Sequence, residues 1–404
     1  MNSKPGERAS VDLQVSLARL EEWLVRCAYK GNDPFDAMRS PLIRLLTFKS
    51  RLLGIVWVQI FRRSPINLRG LFRVAPGHNP KGMGLFLASY IRRYRTTGAP
   101  VDRERIDYFA DWLRQNRCEG IEEACWGYNF AWPNRSFFAP AGTPTIVNTV
   151  FNAQAFLDRY ELLGEAADLT IARSACDFIL KRLAIIEDET GVCFSYTPLD
   201  RRLIHNANML GASLLARVGA ITGEAHLLER ARKSIQFTMA RQNADGSWPY
   251  GVGAKESWID NFHTGFVLVS LLEYIRASGD REFEARLERG YRYWKETFFT
   301  PEGLTKYYSG SLYPIDIHAV AQAVLTFRAF AERDAEAGDH ALELALWAGS
   351  NMQDSKGFFH YQIGRFMPIR ISYIRWAQAW MFRALSECCL MTRGTRKTQT
   401  RLQK

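Results

Sequence analysis

The chain has 404 residues, 47% of them apolar and 24% charged, a balance that excludes disordered and fibrous classes and suits a large packed core. Its 53 Lys and Arg exceed its 42 Asp and Glu, for a net charge of +11, which favours an anionic partner. Aromatic residues reach 13%, enough for a deep core or for a groove that stacks flat rings.

The opening residues carry no apolar stretch after the first basic ones, so no signal peptide is expected there. No run approaches the roughly 18 apolar residues that span a bilayer. The seven cysteines show no CxxC spacing and lie mostly within apolar helical patterns. Reduced, buried thiols are expected, and with them a cytoplasmic location. Zinc-finger spacing, the RNA-binding aromatic signature and a long basic tail are all missing, so nucleic acid is not the expected partner.

In chain order, residues 41–63 come first as a distinct feature. They read PLIRLLTFKSRLLGIVWVQIFRR, an apolar core from Leu52 to Phe61 flanked by Arg44, Lys49, Arg51, Arg62 and Arg63. The stretch is too short to cross a membrane. It fits either a buried helix that plugs or braces the rest of the fold, or a segment lying on an anionic bilayer.

Further on, a repeat of about 55 residues dominates. Asn206-Ala-Asn208, Asn261-Phe-His263 and Asp316-Ile-His318 each open a long apolar helical stretch. Upstream of each stands a glycine followed by aromatics, in Gly191–Tyr196, Gly246–Tyr250 and Gly303–Tyr308. Gly357–Tyr361 repeats the feature, and Trp126-Gly-Tyr128 is an earlier relative. The unit is helix, Gly-aromatic loop, helix. Six pairs are expected, with second helices near 83–97, 145–163, 206–221, 261–277, 316–333 and 370–390.

Six hairpins of this size, with long aromatic loops, resemble the (α/α)6 toroid of carbohydrate-active enzymes more than a short-repeat solenoid. The expected fold is therefore all-α, one toroid over residues 1–392. Residues 31–80 form a basic-apolar insertion in its first repeat, and 393–404 a basic disordered tail. Gln242, Gly246 and Trp248 also fit the Q-x3-G-x-W pattern of triterpene cyclases, where it braces helix ends. The acidic motif of those cyclases is missing.

In a toroid the second helices form the inner layer, and their starts share one mouth with the Gly-aromatic loops. The expected sugar-binding residues are Trp126, Tyr128, Trp132, Tyr196, Arg202, His205, Asn206, Asn208, Trp248, Trp258, Asn261, Tyr361 and Arg370. Indole and phenol faces stack on sugar rings, and guanidinium forks pair with carboxylates. Two chemistries suit the set. The first is proton abstraction at C5 of a uronate, which needs a base and a carboxylate clamp. Its candidates are His263 or Tyr308 as base, His318 or Tyr250 as partner acid, and Asn206, Asn261 and Arg202 as clamp. The second is glycoside hydrolysis by two carboxyls, with Asp260 and Asp316 foremost. A non-catalytic glycan-binding or assembly role is the third reading.

Plain structural roles compete at each position. Asn206, Asn261 and Asp316 are good helix caps. The two histidines, which stand 55 residues apart at one position of the repeat, suit bonds to a neighbouring loop, and the loop tyrosines suit packing. No metal motif of the HxxxH or HExxH kind and no cysteine cluster occurs, and no cofactor is expected.

With Trp126-Gly-Tyr, Asp245-Gly-Ser-Trp-Pro-Tyr250, Asn261-Phe-His263 and Pro314-Ile-Asp-Ile-His318 in place, the chain resembles a known group. These are the VpsJ-like polysaccharide biosynthesis proteins of bacterial exopolysaccharide and capsule clusters. Asn32-Asp-Pro-Phe-Asp36, Ser40-Pro-Leu42 and Ser64-Pro-Ile-Asn67 add to the resemblance, which covers nearly the whole chain. It implies a part in making a surface polysaccharide, with an acidic, lipid-linked glycan at the cytoplasmic face of the inner membrane as the expected partner.

Overall fold

The computed structural model describes residues 5–48, 50–133 and 138–389. Lys49 and the expected basic tail from 393 onward lie outside the described residues. Helices follow in the order α1 (Pro5–Arg26), α2 (Pro41–Leu46), α3 (Arg51–Arg63), α4 (Pro80–Thr97), α5 (Pro100–Gln115), α6 (Ile146–Leu163) and α7 (Ala166–Arg182). Then come α8 (His205–Thr222), α9 (Ala225–Met239), α10 (Asn261–Ser278), α11 (Glu284–Thr297), α12 (Ile317–Phe330) and α13 (Ala337–Asn351). The last, α14, is π-wound over Ile374–Ala379 and continues as an α-helix through residue 389.

Two concentric layers form the (α/α)6 toroid. The inner ring runs α4, α6, α8, α10, α12, α14, each packed on the next, and α14 closes it by meeting both α12 and α4. Composition decides the layer. In α8, 14 of 18 residues are buried, whereas α11 buries 3 of 14, so the first is enclosed and the second faces water on most sides. Four inner helices, α4, α6, α8 and α10, end on glycines in the left-handed conformation that a helix stop requires.

The Gly-aromatic loops are braces as well as loops. Gly246 has φ 96°, and a Cβ there would lie 2.6 Å from the Arg289 carbonyl oxygen of α11. Gln242 Nε2 donates to the Gly246 and Arg286 carbonyls at 3.0 and 2.9 Å. Trp248 Nε1 donates to the Thr238 carbonyl at 3.1 Å. Gln353 repeats the brace, donating to the carbonyls of Gly357 and of Ser16 in α1. The Q-x3-G-x-W pattern is therefore architectural here.

The insertion between α1 and α4 carries its own small apolar cluster of Ala37, Met38, Ile43, Val58, Phe61 and Val74. It is pinned to the ring by Arg69, which is buried. Arg69 donates to Asp36 Oδ1 at 2.7 Å, to the Asp33 carbonyl at 2.6 Å and to the Tyr373 hydroxyl at 3.1 Å. Asp33 in turn accepts two bonds from Arg375 of α14, at 2.6 and 2.9 Å. The segment thus braces the ring, and one side of α3 overhangs its mouth.

Candidate active site

A cleft of about 720 Å³ opens at the N-terminal ends of the inner helices. The geometry follows from the helix itself, whose Cα–Cβ bonds tilt toward the N-terminus, so first-turn side chains lean into the mouth. The second helical position of every inner helix lines it: Lys81, Val147, Asn206, Phe262, His318 and Arg375. Six helix N-termini directed at one cleft also add positive potential to it.

This register corrects the sequence alignment of the triplets. Asp260, not Asn261, caps α10, accepting from His263 N at 2.9 Å, and the helix starts at His205, Asn261 and Ile317 are 56 residues apart rather than 55. His263 is then one position further along its helix than His318 is, and Phe262 is the true counterpart of Asn206 and His318. Of the three expected caps, Asp316 acts as one. Asn206 lies inside α8, and Asn261 receives a bond from Trp294 Nε1 at 3.0 Å and donates to the Lys306 carbonyl.

Eleven expected residues meet in the cleft: Tyr128, Trp132, Tyr196, Arg202, Asn206, Tyr250, Trp258, Asp260, His263, Tyr308 and His318. Eight do not line it. Trp126 and Trp248 are buried with their indole N–H groups on the Leu113 and Thr238 carbonyls. His205 lies against Thr238 behind α8, where burial pushes its pKa down to about 3. Asn208 ties α8 to the Phe194 amide and the Ser234 carbonyl. Asn261 braces α11 as described. Tyr361 is buried and accepts from Arg62 Nε at 3.1 Å, and Arg370 is exposed on a short hairpin. Asp316 is enclosed: its carboxylate accepts from His318 N (2.8 Å), Gln362 Nε2 (2.6 Å) and Trp376 Nε1 (3.0 Å). Burial raises its pKa. With its lone pairs directed at these donors, it positions the Trp376 indole on the cleft wall.

The two histidines differ in state. His263 Nδ1 lies 2.7 Å from Asp260 Oδ2, which fixes the ring and leaves Nε2 as its remaining nitrogen. His318 is buried, with its ring stacked on Phe262 and Trp380 at 4.6 and 4.8 Å, and neither ring nitrogen has a partner among the described residues. Burial first, then the nearby Lys81 and Arg375 charges, holds its pKa well below the usual histidine value, so the ring is neutral. Phe262 separates the pair, 4.0 Å from His263 and 4.6 Å from His318 between ring centres. Asn206 Oδ1 is also buried without a partner. Buried polar atoms left open on a cleft wall are where a bound ligand supplies hydrogen bonds.

Aromatic platforms surround them. Tyr250 and Trp258 stack at 4.4 Å, Tyr250 packs on His263 at 4.6 Å, and Trp132 meets Tyr196 at 5.6 Å beneath the Arg202 guanidinium. Burial raises the pKa of Tyr250, and of Tyr308 with help from Asp260, so both phenols are protonated. Six cations (Arg62, Arg63, Lys81, Arg202, Lys255 and Arg375) face two carboxylates, Glu256 and Asp260, and an anionic ligand suits that wall.

Lys81 and Arg62 escaped the sequence reading. Lys81 is buried over the rings of Phe151 (4.3 Å), Trp380 (5.0 Å) and Phe266 (5.5 Å), and burial with the Arg375 charge drives its pKa well down. The signal was present, since Asn79-Pro-Lys81 is another polar-x-polar triplet and Asn79 caps α4. Among the described residues no group of three or more His, Cys, Asp or Glu gathers to hold a metal.

No family model matches the chain, and no curated protein matches it. Solved structures share its fold. Cellobiose 2-epimerase from Bacillus thermoamylovorans superposes with a TM-score of 0.62 at 12% identity, over 78% of this chain and 88% of that one. An α-mannanase of glycoside hydrolase family 76 from Bacteroides thetaiotaomicron gives 0.60 at 12%, over 80% and 89%. D-mannose isomerase gives 0.60 at 12%, over 78% and 87%. These neighbours are carbohydrate-active (α/α)6-toroid enzymes. At such identities the likeness establishes the fold.

Proposed function

We propose that this protein modifies an acidic, uronate-containing glycan by taking the proton from C5, as an epimerase before a lyase. One observation carries the reading: a carboxylate-held histidine and a neutral, unbonded one flank Phe262 on a wall rich in cations. The C5–H bond breaks, its proton passes to His263 Nε2, and the electron pair spreads onto the uronate carboxyl. Lys81, Arg202 and Asn206 stabilise the charge that develops there. Proton return from the other face gives the C5 epimer: neutral His318 donates its N–H while its second ring nitrogen takes a proton from water, and His263 releases the C5 proton to solvent. Loss of the C4 oxygen substituent instead gives an unsaturated end. Neighbours named as a sugar 2-epimerase and an isomerase support proton transfer at carbon on this scaffold.

The resemblance to VpsJ-like proteins supports a place in surface polysaccharide biosynthesis, on a lipid-linked glycan at the cytoplasmic face of the inner membrane. A second reading, glycoside hydrolysis, rests on Glu256 and Asp260, the two carboxylates on the cleft wall, and on the hydrolases that share the fold.

The test is NMR of uronate polysaccharides and of reducing disaccharides incubated with the protein in D2O. Deuterium at C5 of an intact chain supports the epimerase, and unsaturated ends support the lyase. Deuterium confined to C2 of a reducing sugar, or new saturated reducing ends, refutes C5 chemistry. Binding with no covalent change makes the protein a glycan-binding component.

A further inference from the structure

The insertion that overhangs the cleft has an outer face with no partner among the described residues. Helix α3 divides its surface three ways. Gly54, Val58 and Phe61 are buried against the small cluster, and Ile55, Gln59 and Arg62 face the cleft. Leu52, Leu53, Val56 and Ile60 point outward and are exposed. The same exposure continues on both sides, so that ten large apolar side chains between Leu42 and Leu71 face solvent. Leu45 is 72% exposed and Phe48 81%, and the exposed apolar residues are concentrated in one segment rather than scattered singly, which calls for an explanation. Phe48 sits at the turn between α2 and α3 with φ 46°, a left-handed backbone that a bulky residue rarely adopts. The fold holds that ring outward against both strain and hydration.

Charge identifies the occupant. Residues 37–101 contain no Asp or Glu, while 41–73 hold seven Lys and Arg. Arg69 and Arg62 turn inward and Arg63 lies at the cleft rim, whereas Arg44, Arg51 and Arg73 are exposed beside the apolar face. A second element presents the same chemistry. The hairpin of Gln362–Ile363 and Pro368–Ile369 follows Tyr361, the partner of Arg62, and its turn exposes Phe366 (91%) and Met367 between Arg365 and Arg370. Two copies of such a face would repel, whereas an anionic bilayer complements it with acyl chains for the apolar residues and headgroups for the arginines. No helix among the described residues is long and apolar enough to cross a membrane, so the contact is superficial.

We infer that α2, α3 and the Phe366 turn form a docking surface for an anionic lipid bilayer, which sets the cleft mouth at the headgroup level. This goes beyond the proposed reaction, and vesicle binding reads it without any turnover, so the two fail separately. The probe is co-flotation of the full chain with vesicles of phosphatidylcholine, alone or with 30% phosphatidylglycerol, at low and high salt. The expected result is binding to the anionic vesicles that weakens with salt, and at least a tenfold loss in the variant Leu45→Ser, Phe48→Ser, Leu52→Ser. Those side chains are exposed, so circular dichroism and melting temperature should match the parent. A second variant, Arg44→Gln with Arg73→Gln, should lose the preference for anionic lipid while melting unchanged. No binding to anionic vesicles, or equal binding by the folded triple variant, overturns the inference. So does a lipid-independent dimer in sedimentation velocity that the triple variant abolishes, since the face would then belong to a second copy.

Discussion

His205 offers a sharp test of how the inner ring is packed. Its imidazole is buried behind α8, with Nδ1 3.3 Å from Thr238 Oγ1 and Nε2 without a partner, and its pKa falls to about 3. Above about pH 6.5 the ring is neutral in both folded and unfolded chains, and it costs nothing. Below that, the unfolded chain takes up a proton that the folded chain refuses. Stability then falls by about 1.4 kcal/mol per pH unit, until the folded pKa is reached near 3 and the loss totals about 5 kcal/mol. Between pH 6.5 and 5 the loss is about 2 kcal/mol. His205→Gln keeps an amide near Thr238 and does not titrate. Urea unfolding followed by circular dichroism, at pH 7.5 and pH 5, should show the parent losing about 2 kcal/mol more than the variant over that interval. A gap between the two proteins that stays constant to within about 0.5 kcal/mol would refute the claim that this histidine is held neutral by burial.

Five other substitutions follow from the same geometry. Gly246→Ala forces a Cβ to 2.6 Å from a carbonyl oxygen and should cost about 1–3 kcal/mol; Gly223→Ala, a helix stop with open space around it, should cost about 1, both read by melting temperature. Asp316→Asn sets an amide against three donors and should destabilise by about 1–3 kcal/mol while weakening glycan binding through Trp376, measured by calorimetry. Asp260→Asn should keep the fold, because Asn also caps helices, yet lower C5 exchange in D2O by about 10²–10⁴-fold; unchanged exchange would remove Asp260 and His263 from the reaction. Lys81→Met should raise the melting temperature at pH 7, since burial depresses the lysine pKa and penalises its cation below the unfolded value, and should weaken binding of an anionic glycan.

The toroid was legible because each repeat writes the same grammar: a glycine at positive φ, aromatics, then a polar residue at a helix start. The inner-layer register was harder. A 55-residue spacing pairs Asn261 with Asn206, but Asp260 caps α10 and shifts the helix start, and only the cap geometry reveals it. Trp126 and Trp248 read as sugar platforms because a tryptophan beside such a glycine has the same sequence signature whether it faces the mouth or braces a carbonyl. Lys81 hid in the repeat that the insertion interrupts. Arg62 comes from the insertion itself, which no periodicity describes, and only tertiary packing brings it over the cleft.

The ring is sealed by partners at opposite ends of the chain. Asp33 holds Arg375 across 342 positions, and the braces from Gln353 and Asp354 to α1 span nearly as many. Hairpins in the middle of the sequence satisfy one another as they emerge during synthesis, but the exposed flanks of α4 and α12 wait for α14. The cleft is therefore complete only once α14 has docked, and until then neither His318 nor Lys81 has the Trp380 wall that buries it.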